Sequence, residues 1–418
     1  MALTLYLLTF NCARTLVQPH AFAPHMFDAL EPDTRYPDLL VLNLQEIAPI
    51  AYGFLGGSFL TPYFDCFKKV VKLAAKDQNY VHILSQNLGM TGIMVFARED
   101  VADNINWTQT AGVGLGLGAM GAKGAVGVRL GYRIGDSEEV ELTFVAAHLA
   151  AMEDALERRN FDYQSIVQGL VFVQDHPAGE DENAPLLQGN AQPKPLESGI
   201  YSTTSHLFLA GDLNYRTSLI QPSPHDVEHK FPQPAKEEDD PRHFIHLLAE
   251  DQLTQQVKAG KALHGLTEAP IGFPPTYKYR NVGDKAVTLD GEGDWQWARH
   301  RWPSWCDRIF FWKTEHVKVE PVRYTCLPLF ATSDHRPVVL LATVPLRSVS
   351  GAGVSDSATA PFPIDPQWRS KRALARKKEL AVGLLAYLIL TKEGAALALA
   401  TTVGVVGVWI ITRSILVL

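Results

Sequence analysis

Eight apolar runs of strand length are spread along the chain up to residue 345, and most are bounded by turn residues. They cover residues 3–10, 39–43, 91–97, 125–130, 141–147, 206–210, 308–312 and 337–344. Continuous apolar runs of this length are typical of strands buried on both faces. Helical patterns lie between them, most clearly at 151–174 and 242–250. Strands that alternate with helices predict a layered α/β structure.

Size, charge and cysteine usage limit the class of protein. The chain has 418 residues, enough for a large core with appended segments, and its net charge of -7 argues against a general nucleic-acid binder. Its four cysteines are far apart and form no Cys-x-x-Cys pair. The sequence therefore predicts neither a disulfide framework nor a zinc site, and a reducing compartment is favoured. The first residues lack a basic region and a cleavage site, so they predict a buried strand instead of a secretory signal.

Three irregular stretches interrupt or follow the predicted core. Residues 176–204 are rich in Pro, Gly, Asn and Ser, and residues 221–241 mix Pro with Glu and Asp. Both are predicted to be irregular surface insertions. Residues 346–368 are rich in Ser, Gly and Ala, which predicts a flexible linker after a catalytic domain at 1–345.

A basic segment and an apolar tail follow the predicted linker. The basic segment covers residues 369–379, and its first ten residues hold six Lys or Arg and no acid. The tail covers 380–418, in which 394–412 supply nineteen residues without a charge. A helix of that length spans roughly 28 Å, enough for a thin bilayer. A buried terminal helix is the alternative, but an apolar helix behind a linker favours a membrane anchor with the basic segment in the cytosol. The sequence leaves open whether 380–391 is embedded.

Polar side chains stand at the ends of several predicted strands. They are Asn11, Glu46, Asp212, Asn214, Asp334 and His335. Carboxylate and amide oxygens are ligands suited to Mg²⁺, and the absence of a thiol cluster argues against zinc. Taken singly, an Asp or Asn after a strand is more often a turn former than a ligand.

Two longer motifs add information about the family. Residues 208–216, Phe-Leu-Ala-Gly-Asp-Leu-Asn-Tyr-Arg, and 301–309, Arg-Trp-Pro-Ser-Trp-Cys-Asp-Arg-Ile, resemble the defining motifs of the inositol polyphosphate 5-phosphatases, of the endonuclease/exonuclease/phosphatase superfamily. Further segments match in the same order, at 9–11, 44–46, 121–126, 148–151, 159–162, 275–279 and 333–338. The resemblance spans about residues 4–345. It implies a four-layer α/β sandwich, in which two mixed sheets pack face to face and are flanked by helices.

The resemblance also implies a metal and a catalytic base. Glu46, supported by Asn11, would hold a Mg²⁺ that neutralises the 5-phosphate and the leaving inositol oxygen. Asp212 would take a proton from the attacking water, and Asn214 would orient that water. The displacement would be direct and in line, without a phosphoenzyme.

Four more residues are implied in catalysis by the same resemblance. His335, oriented by Asp307, would contact the phosphoryl oxygens. His148 would add another donor to this phosphate, and Asp334 would add negative charge beside the metal. Phosphoryl transfer depends mainly on such positioning and charge stabilisation.

The residues implied to bind the substrate are Lys123, Asn160, Tyr277, Lys278, Arg299 and Arg301. Lys278, Arg299 and Arg301 match positions that in the family grip the 4-phosphate. Lys123 lies on a glycine-flanked loop and would meet the 1-phosphate or the membrane side. Plain surface charge is the alternative for the two arginines.

The sequence therefore predicts a Mg²⁺-dependent phosphoinositide 5-phosphatase that converts phosphatidylinositol 4,5-bisphosphate to the 4-phosphate. Its tail anchor suggests the endoplasmic reticulum membrane, with the catalytic domain in the cytosol, and resembles that of compact fungal members of the family. One alternative is another superfamily enzyme, an abasic-site endonuclease or a sphingomyelinase, which would not need the 301–309 motif. The other is a catalytically inactive membrane scaffold that binds phosphoinositides. The sequence does not predict protein partners or the preference between the bisphosphate and the 3,4,5-trisphosphate.

Overall fold

The computed structural model describes residues 2–32, 34–135, 138–174, 196–202, 204–280, 285–291, 293–312, 318–346 and 360–416. The strands are β1 (Ala2–Asn11), β2 (Leu39–Gln45), β3 (Tyr80–Leu88), β4 (Thr91–Arg98), β5 (Ile105–Gly114), β6 (Gly124–Ile134), β7 (Glu138–His148), β8 (Phe172–Gln174), β9 (Leu196–Ser198), β10 (Ser205–Asp212), β11 (Leu266–Thr267), β12 (Val287–Thr288), β13 (Asp307–Trp312), β14 (Glu320–Cys326), β15 (Leu329–Phe330) and β16 (Val338–Pro345). The α-helices are α1 (Pro19–Phe22), α2 (Ile50–Leu55), α3 (Thr61–Ala74), α4 (Glu99–Ala102), α5 (Leu156–Gly169), α6 (Pro224–His229), α7 (Ile245–Leu248), α8 (Gln252–Lys258), α9 (Trp368–Leu390) and α10 (Lys392–Leu416).

All eight predicted apolar runs form strands, and they belong to two mixed six-stranded sheets. The first sheet has the order β14-β16-β1-β2-β4-β3, and the second has the order β11-β13-β10-β7-β6-β5. β1 pairs with β2 in parallel, and β7 pairs with β10 in parallel. The other neighbouring pairs in these sheets are antiparallel.

The two sheets pack face to face around a central core. Leu3, Leu5 and Leu7 of β1 lie in this core together with Phe144 of β7 and Phe208 of β10. Alternate side chains of a strand point to opposite faces, so the residues between these leucines face outward. The central layer of the structure is therefore built from both sheets.

Helices cover the outer face of each sheet. Tyr6 and Leu8 of β1 pack in an outer core with Phe67 of α3. On the other side, Ile166 of α5 and Leu253 of α8 pack in a third core that includes residues of β7 and β10. The layers run helix, sheet, sheet, helix, and the predicted four-layer α/β sandwich is confirmed.

The register of the central strands brings their polar ends together. Asn11 is the register partner of Gln45, so Glu46 lies directly beyond the end of β2. Asp212, at the end of β10, is the register partner of His148 on β7 and of Asp307 on β13. Because parallel strands end at the same edge of a sheet, each sheet contributes a cluster of polar residues to one end of the sandwich.

Some predicted segments differ from the observed ones. The helix predicted at 151–174 is α5, Leu156–Gly169, and its predicted end forms β8. The helix predicted at 242–250 is the short α7, followed by α8. The insertion predicted at 221–241 includes α6, which has a capping box at Ser223, and Phe231, which is buried in the central core. Most of the insertion predicted at 176–204, and residues 347–359 of the predicted linker, lie outside the described residues.

The segment that precedes the apolar helix α10 packs on the sandwich. Phe362 packs against Tyr163 and His264, although it falls within the predicted linker. The basic segment 369–379 forms the first half of α9, which lies against α2. The helix buries Ala375, Glu379 and Gly383, which recur every four residues and so form one stripe. The basic segment is therefore part of a docked helix, whereas the sequence predicted a separate juxtamembrane segment.

The chain has a helix that could cross a membrane. Within the described residues, Lys392–Ile415 is the one helical segment long and apolar enough, with a mean hydropathy of 2.1 and 6% of its apolar window buried. Residues 380–390 belong to α9 instead, and the chain leaves helical geometry at Thr391.

Candidate active site

A cavity of about 540 Å³ opens where the polar ends of the two sheets meet. Its lining includes acids, amides and cations from both sheets, namely Asn11, Arg14, Glu46, Lys123, Asp212, Asn214, Arg216, Tyr277, Lys278, Asp334 and His335. A concave site with convergent charged groups is the usual form of an enzyme active site. Nine of the fourteen site residues predicted from the sequence line this cavity.

Asp212 is the most constrained of these side chains. It is 1% exposed, and its Oδ2 accepts a hydrogen bond of 2.9 Å from Nδ2 of Asn11. Nε2 of His148 lies 3.2 Å from the same oxygen, and Nε2 of His335 lies 3.9 Å from it. Burial opposes ionisation, but the two histidines outweigh it and hold the pKa of Asp212 well below its usual range. Asp212 is therefore a carboxylate at neutral pH.

Gly211 allows Asp212 to reach this position. Its φ is 157°, and a Cβ at this position would lie 1.9 Å from the carbonyl oxygen of Ala147 on β7. Only glycine fits such a close approach of two backbones. The Gly-Asp pair of the 208–216 motif thus places the carboxylate at the end of two tightly packed strands.

His335 forms a buried ion pair with Asp307. Its Nδ1 lies 2.8 Å from Oδ2 of Asp307, which also accepts a hydrogen bond of 2.7 Å from the Thr276 hydroxyl. Burial lowers the pKa of His335, but Asp307 and Asp212 raise it to about 9. Burial raises the pKa of Asp307 to about 6, which is still below that of His335. Near neutral pH the pair is an imidazolium and a carboxylate, with Nε2 of the ring toward Asp212.

His148 lies between Asp212 and Lys123. The His148 ring is completely buried, and Lys123 contacts its Nε2. Burial first, and then the positive charge of Lys123, lower the pKa of His148 from its ordinary value. Burial also lowers the pKa of Lys123, whose Nζ lies 3.7 Å from Oε1 of Glu46.

Glu46 and Asn11 offer oxygen donors on the wall of the cavity. Glu46 is about one-fifth exposed, and Nε of Arg14 lies 3.0 Å from its Oε2. Asn11 Oδ1 accepts a hydrogen bond from the Ala13 N–H and keeps a second lone pair. One carboxylate and one amide oxygen, open to a cavity that admits water, fit a hard divalent cation.

A second group of side chains has ligand atoms close enough together to hold a metal ion, but one of its ligand atoms is already engaged. Ligand atoms of Asp212, Asp307 and His335 all lie within 4.8 Å of one another. However, Nδ1 of His335 is engaged by Asp307, and its pKa of about 9 disfavours the neutral ring that a metal requires. These three residues fit a charge-stabilising triad better than a metal centre.

Asn214 and Arg216 extend the site beyond Asp212. The backbone N–H of Asn214 donates to Oδ1 of Asp212 at 3.1 Å, and its Nδ2 donates to the carbonyl of Leu149. Arg216 is 1% exposed, donates to Asn214 Oδ1 and stacks over the Tyr277 ring at 4.4 Å. Sequence reasoning did not select Arg216, although it lies two residues after Asn214 in the 208–216 motif. It gives the cavity a fixed positive charge.

Several residues near the cavity have unfavourable backbone conformations. Ala13, Arg14, Glu46 and Asn214 have φ values of 48°, 63°, 44° and 58°. Each such residue costs on the order of 1 kcal/mol or more, and this strain is typically found at functional sites. The strain turns these residues toward one another at the ends of β1, β2 and β10.

Lys278 and Asp334 form an ion pair on the cavity wall. Burial lowers the pKa of Lys278, but Asp334 raises it above its ordinary value, so the ammonium stays charged. The Tyr277 ring lies 4.5 Å from the His335 ring, centroid to centroid. Tyr277, Lys278 and Asp334 are thus grouped beside His335 on the cavity wall.

Three predicted substrate-binding residues do not line the cavity. Asn160 uses both ends of its amide within the protein, with Nδ2 donating to Gln256 and Oδ1 accepting from Tyr215. Arg301 donates to Glu153, and Arg299 is exposed. Asn160 bonds to Gln256 of α8 and to Tyr215 outside the cavity lining, and its contact with substrate stays a prediction.

The fold is that of the endonuclease/exonuclease/phosphatase class of proteins. The model of endonuclease/exonuclease/phosphatase family 2 matches residues 8–341, and the chain belongs to that family.

Its relatives include inositol phosphatases. The chain is 30% identical over 313 residues to inositol-1,4,5-trisphosphate 5-phosphatase 1 of Schizosaccharomyces pombe, covering 73% of the chain and 24% of that protein. It is 30% identical over 286 residues to type II inositol 1,4,5-trisphosphate 5-phosphatase of Mus musculus, covering 68% and 24%. The chain therefore matches only about a quarter of the length of these relatives.

A solved structure shares the fold. It is the inositol polyphosphate 5-phosphatase domain of SPsynaptojanin in complex with inositol (1,4)-bisphosphate and calcium ion. The TM-score is 0.60 at 24% sequence identity, and the match covers 91% of this chain and 90% of that one. The predicted family resemblance is confirmed by these comparisons.

Proposed function

We propose that the chain is a Mg²⁺-dependent phosphoinositide 5-phosphatase that hydrolyses the 5-phosphate of phosphatidylinositol 4,5-bisphosphate and releases the 4-phosphate lipid. The observation that carries this proposal is the position of Asp212. Its carboxylate lies between His148 and His335 in a cavity that the oxygen donor Glu46 also lines. The names of the relatives support the 5-phosphate as the group removed.

In this mechanism Asp212 acts on water. Its lowered pKa keeps it ionised, so it is always available to accept a hydrogen bond from the attacking water. A low pKa also makes it a weak base, so the proton moves to Asp212 late, when the bond between water and phosphorus has begun to form. Asn214 fixes one oxygen of the carboxylate through its backbone N–H.

The positive groups of the cavity balance the charge of the phosphoryl group. His335 is an imidazolium held by Asp307, and its Nε2 is directed toward Asp212. The reacting phosphate would lie beside these two residues. Arg216 adds a fixed charge, and Lys123 adds a second basic group on the cavity wall. Preorganised donors of this kind commonly supply the largest part of catalysis in phosphoryl transfer. A Mg²⁺ held by Glu46 and Asn11 would neutralise charge on the phosphate and on the leaving oxygen.

Substrate binding is proposed to involve the cations on the rim of the cavity. Lys278 lies beside Asp334 and stays charged, which suits a contact with the 4-phosphate. Arg299 and Arg301 lie outside the cavity lining, so their proposed contact with the 4-phosphate depends on side-chain rearrangement when substrate binds. Anchoring through α10 favours a lipid over a soluble inositol phosphate, because it confines the protein to a surface that contains the lipid. The endoplasmic reticulum is proposed as the membrane.

The test is a substrate panel with the purified full chain in vesicles. Phosphate release and the lipid product are measured for the 4,5-bisphosphate, the 3,4,5-trisphosphate and soluble inositol 1,4,5-trisphosphate, with Mg²⁺ or a chelator. We expect Mg²⁺-dependent conversion of the 4,5-bisphosphate to the 4-phosphate, and none by Asp212→Ala. Equal phosphate release by Asp212→Ala, or none by either protein, would overturn the proposal. Cleavage of abasic DNA or sphingomyelin would instead indicate another superfamily activity.

A further inference from the structure

Helix α9 carries one buried acid among its basic residues. Glu379 is 0% exposed, and Arg372 donates to both of its carboxylate oxygens at 2.8 and 3.2 Å. Arg376 also donates to Oε2 at 3.4 Å, and a third partner lies outside the helix. The backbone N–H of Gly121, in the loop before β6, donates to Glu379 Oε1 at 3.0 Å.

Both backbone polar groups of Gly121 are hydrogen-bonded, each to a different part of the protein. Its N–H is bound by Glu379, and its carbonyl accepts a hydrogen bond of 3.0 Å from the N–H of Met90 in the β3–β4 turn. Gly89 packs directly against it, since a Cβ on Gly89 would lie 2.0 Å from the Gly121 carbonyl oxygen. The loop therefore has one defined position, set by α9 on one side and by the turn on the other.

Gly121 is connected to residues of the cavity in two ways, through Lys123 and through Met90. Lys123 is two residues further along the loop, and it reaches Glu46 and His148. On the other side, the Met90 carbonyl accepts a hydrogen bond of 3.1 Å from the N–H of Ile47, the residue after Glu46. Glu379 is thus connected through Gly121 to the loop that presents Lys123 and to the segment that presents Glu46.

The rest of α9 docks in a way that fixes this register. Arg376 donates to the carbonyls of Phe54 and Leu55, which end α2 and have no further helical partner. Gly383 packs so closely on α2 that a Cβ there would lie 2.9 Å from Cβ of Phe54. Tyr387 packs against the rings of Tyr52 and Phe59.

We propose that Glu379 is a positioning residue for the active site, through which docking of α9 sets the Gly121–Lys123 loop and the Glu46 segment. The roles of Lys123 and Glu46 in this inference rest on the proposed function. If α9 served only to link the sandwich to α10, an apolar side chain at position 379 would pack as well as Glu379. Burying a carboxylate is costly unless it is paired, and in some proteins a buried ion pair specifies one arrangement of the chain.

The experiment uses the full chain in detergent micelles and two readouts. Hydrogen exchange of the segment 117–123 reports the loop without any need for turnover. Steady-state hydrolysis of soluble inositol 1,4,5-trisphosphate reports KM and kcat apart from membrane binding. The variants are Glu379→Ala, Glu379→Gln, which keeps an acceptor oxygen, and Gly383→Ala, which forces α9 away from α2. The matched control is Glu197→Ala, which removes the contacts of Glu197 with Trp368 and Arg369 at the other end of α9.

We expect Glu379→Ala and Gly383→Ala to raise exchange in 117–123 about tenfold or more, the effect of losing a hydrogen bond to a charged group. KM should rise at least about threefold with a smaller change in kcat, whereas Glu379→Gln and Glu197→Ala should stay near the unmodified protein. Unchanged exchange in both Glu379→Ala and Gly383→Ala would overturn the inference. If the unmodified chain hydrolyses neither soluble inositol 1,4,5-trisphosphate nor phosphatidylinositol 4,5-bisphosphate in mixed micelles, the proposed function fails, and the exchange result still decides whether Glu379 holds the loop.

Discussion

Nε2 of His148 lies 3.2 Å from Oδ2 of Asp212, and the two residues are register partners on the parallel strands β7 and β10. Their contact is thus set by the hydrogen-bond ladder of the sheet and not by a loop. His335 reaches the same oxygen from the loop before β16, which belongs to the other sheet. The carboxylate is therefore held where the two sheets meet, and any change in their packing would change its surroundings.

Replacing Asp212 with Asn should lower kcat by about 10² to 10⁴, the range found when a general base is removed. KM should change little, because the amide keeps the shape of the side chain. Initial rates with Mg²⁺ and a soluble inositol trisphosphate measure both constants. Asp65→Asn, which removes an exposed acid on α3, is the control and should have the unmodified rate. A rate for Asp212→Asn within threefold of the unmodified protein would contradict the prediction.

The stability of the metal-free protein should fall as the pH rises toward 9. The folded pKa of His335 is about 9, above the ordinary value of about 6.5, so its stabilisation is complete below pH 6.5 and is lost as the pH rises through 9. The raised pKa of Asp307, about 6, affects the pH dependence of stability only below pH 6.5. The loss has an upper bound on the order of 3 kcal/mol.

Urea unfolding in detergent with a chelator, at several pH values between 6 and 10, measures this slope. His335→Asn should unfold at lower urea at pH 6 and should lack most of the slope between pH 6.5 and 9. Parallel curves for the two proteins would show that His335 does not titrate in this range.

Replacing Lys123 with Met should raise KM by about tenfold, with a smaller effect on kcat. The ammonium contacts His148 and Glu46 at the wall of the cavity, and loss of one charged contact with a phosphate costs about 1.4 kcal/mol or more. Lys72→Met on the exposed face of α3 provides the comparison and should leave KM unchanged. A kcat effect larger than the KM effect would assign Lys123 to the chemical step instead of to binding.

Chelation should abolish activity, and added Mg²⁺ should restore it. Glu46→Gln removes the one carboxylate that we assign to the metal, so the Mg²⁺ concentration for half-maximal rate should rise at least about tenfold. Calorimetric titration of Mg²⁺ provides a measurement independent of turnover. Glu99→Gln, an exposed acid of α4, should bind Mg²⁺ like the unmodified protein. Equal Mg²⁺ affinity in Glu46→Gln would place the metal elsewhere.

The sequence predicted the strands that are apolar on both faces and missed those at sheet edges. β5 alternates partly buried and exposed residues, and β14 is exposed over its first four residues. Neither has a continuous apolar run, because an edge strand of a sheet covered on one face needs only alternate apolar positions. Helix α3 was also missed, although Phe67, Val70, Val71 and Ala74 have the spacing of a helix buried on one side.

At the site, most residues predicted from the long motifs lie in or beside the cavity, although Arg301 of the 301–309 motif does not line it. Asp212, Asp307 and His335 follow directly from the 208–216, 301–309 and 333–338 segments. Asn160 also lies in a matching segment, yet α5 turns it toward α8, away from the cavity. Arg14 lies outside the matching segments. Its contact with Glu46 depends on the positive φ of both residues, which the sequence pattern does not predict. Glu379 was hidden within a basic segment, since its burial depends on how α9 docks.

The docking of α9 has a practical consequence for preparing a shortened form of the protein. A protein ended at residue 345, the predicted domain boundary, would uncover Tyr52, Phe59 and the last carbonyls of α2, and would release the Gly121 peptide. A protein ended at Leu390 would discard α10 and keep every one of these contacts, because the helix stops there and Thr391 is extended. The end point that keeps the contacts of α9 therefore lies about 45 residues beyond the end of the sheets.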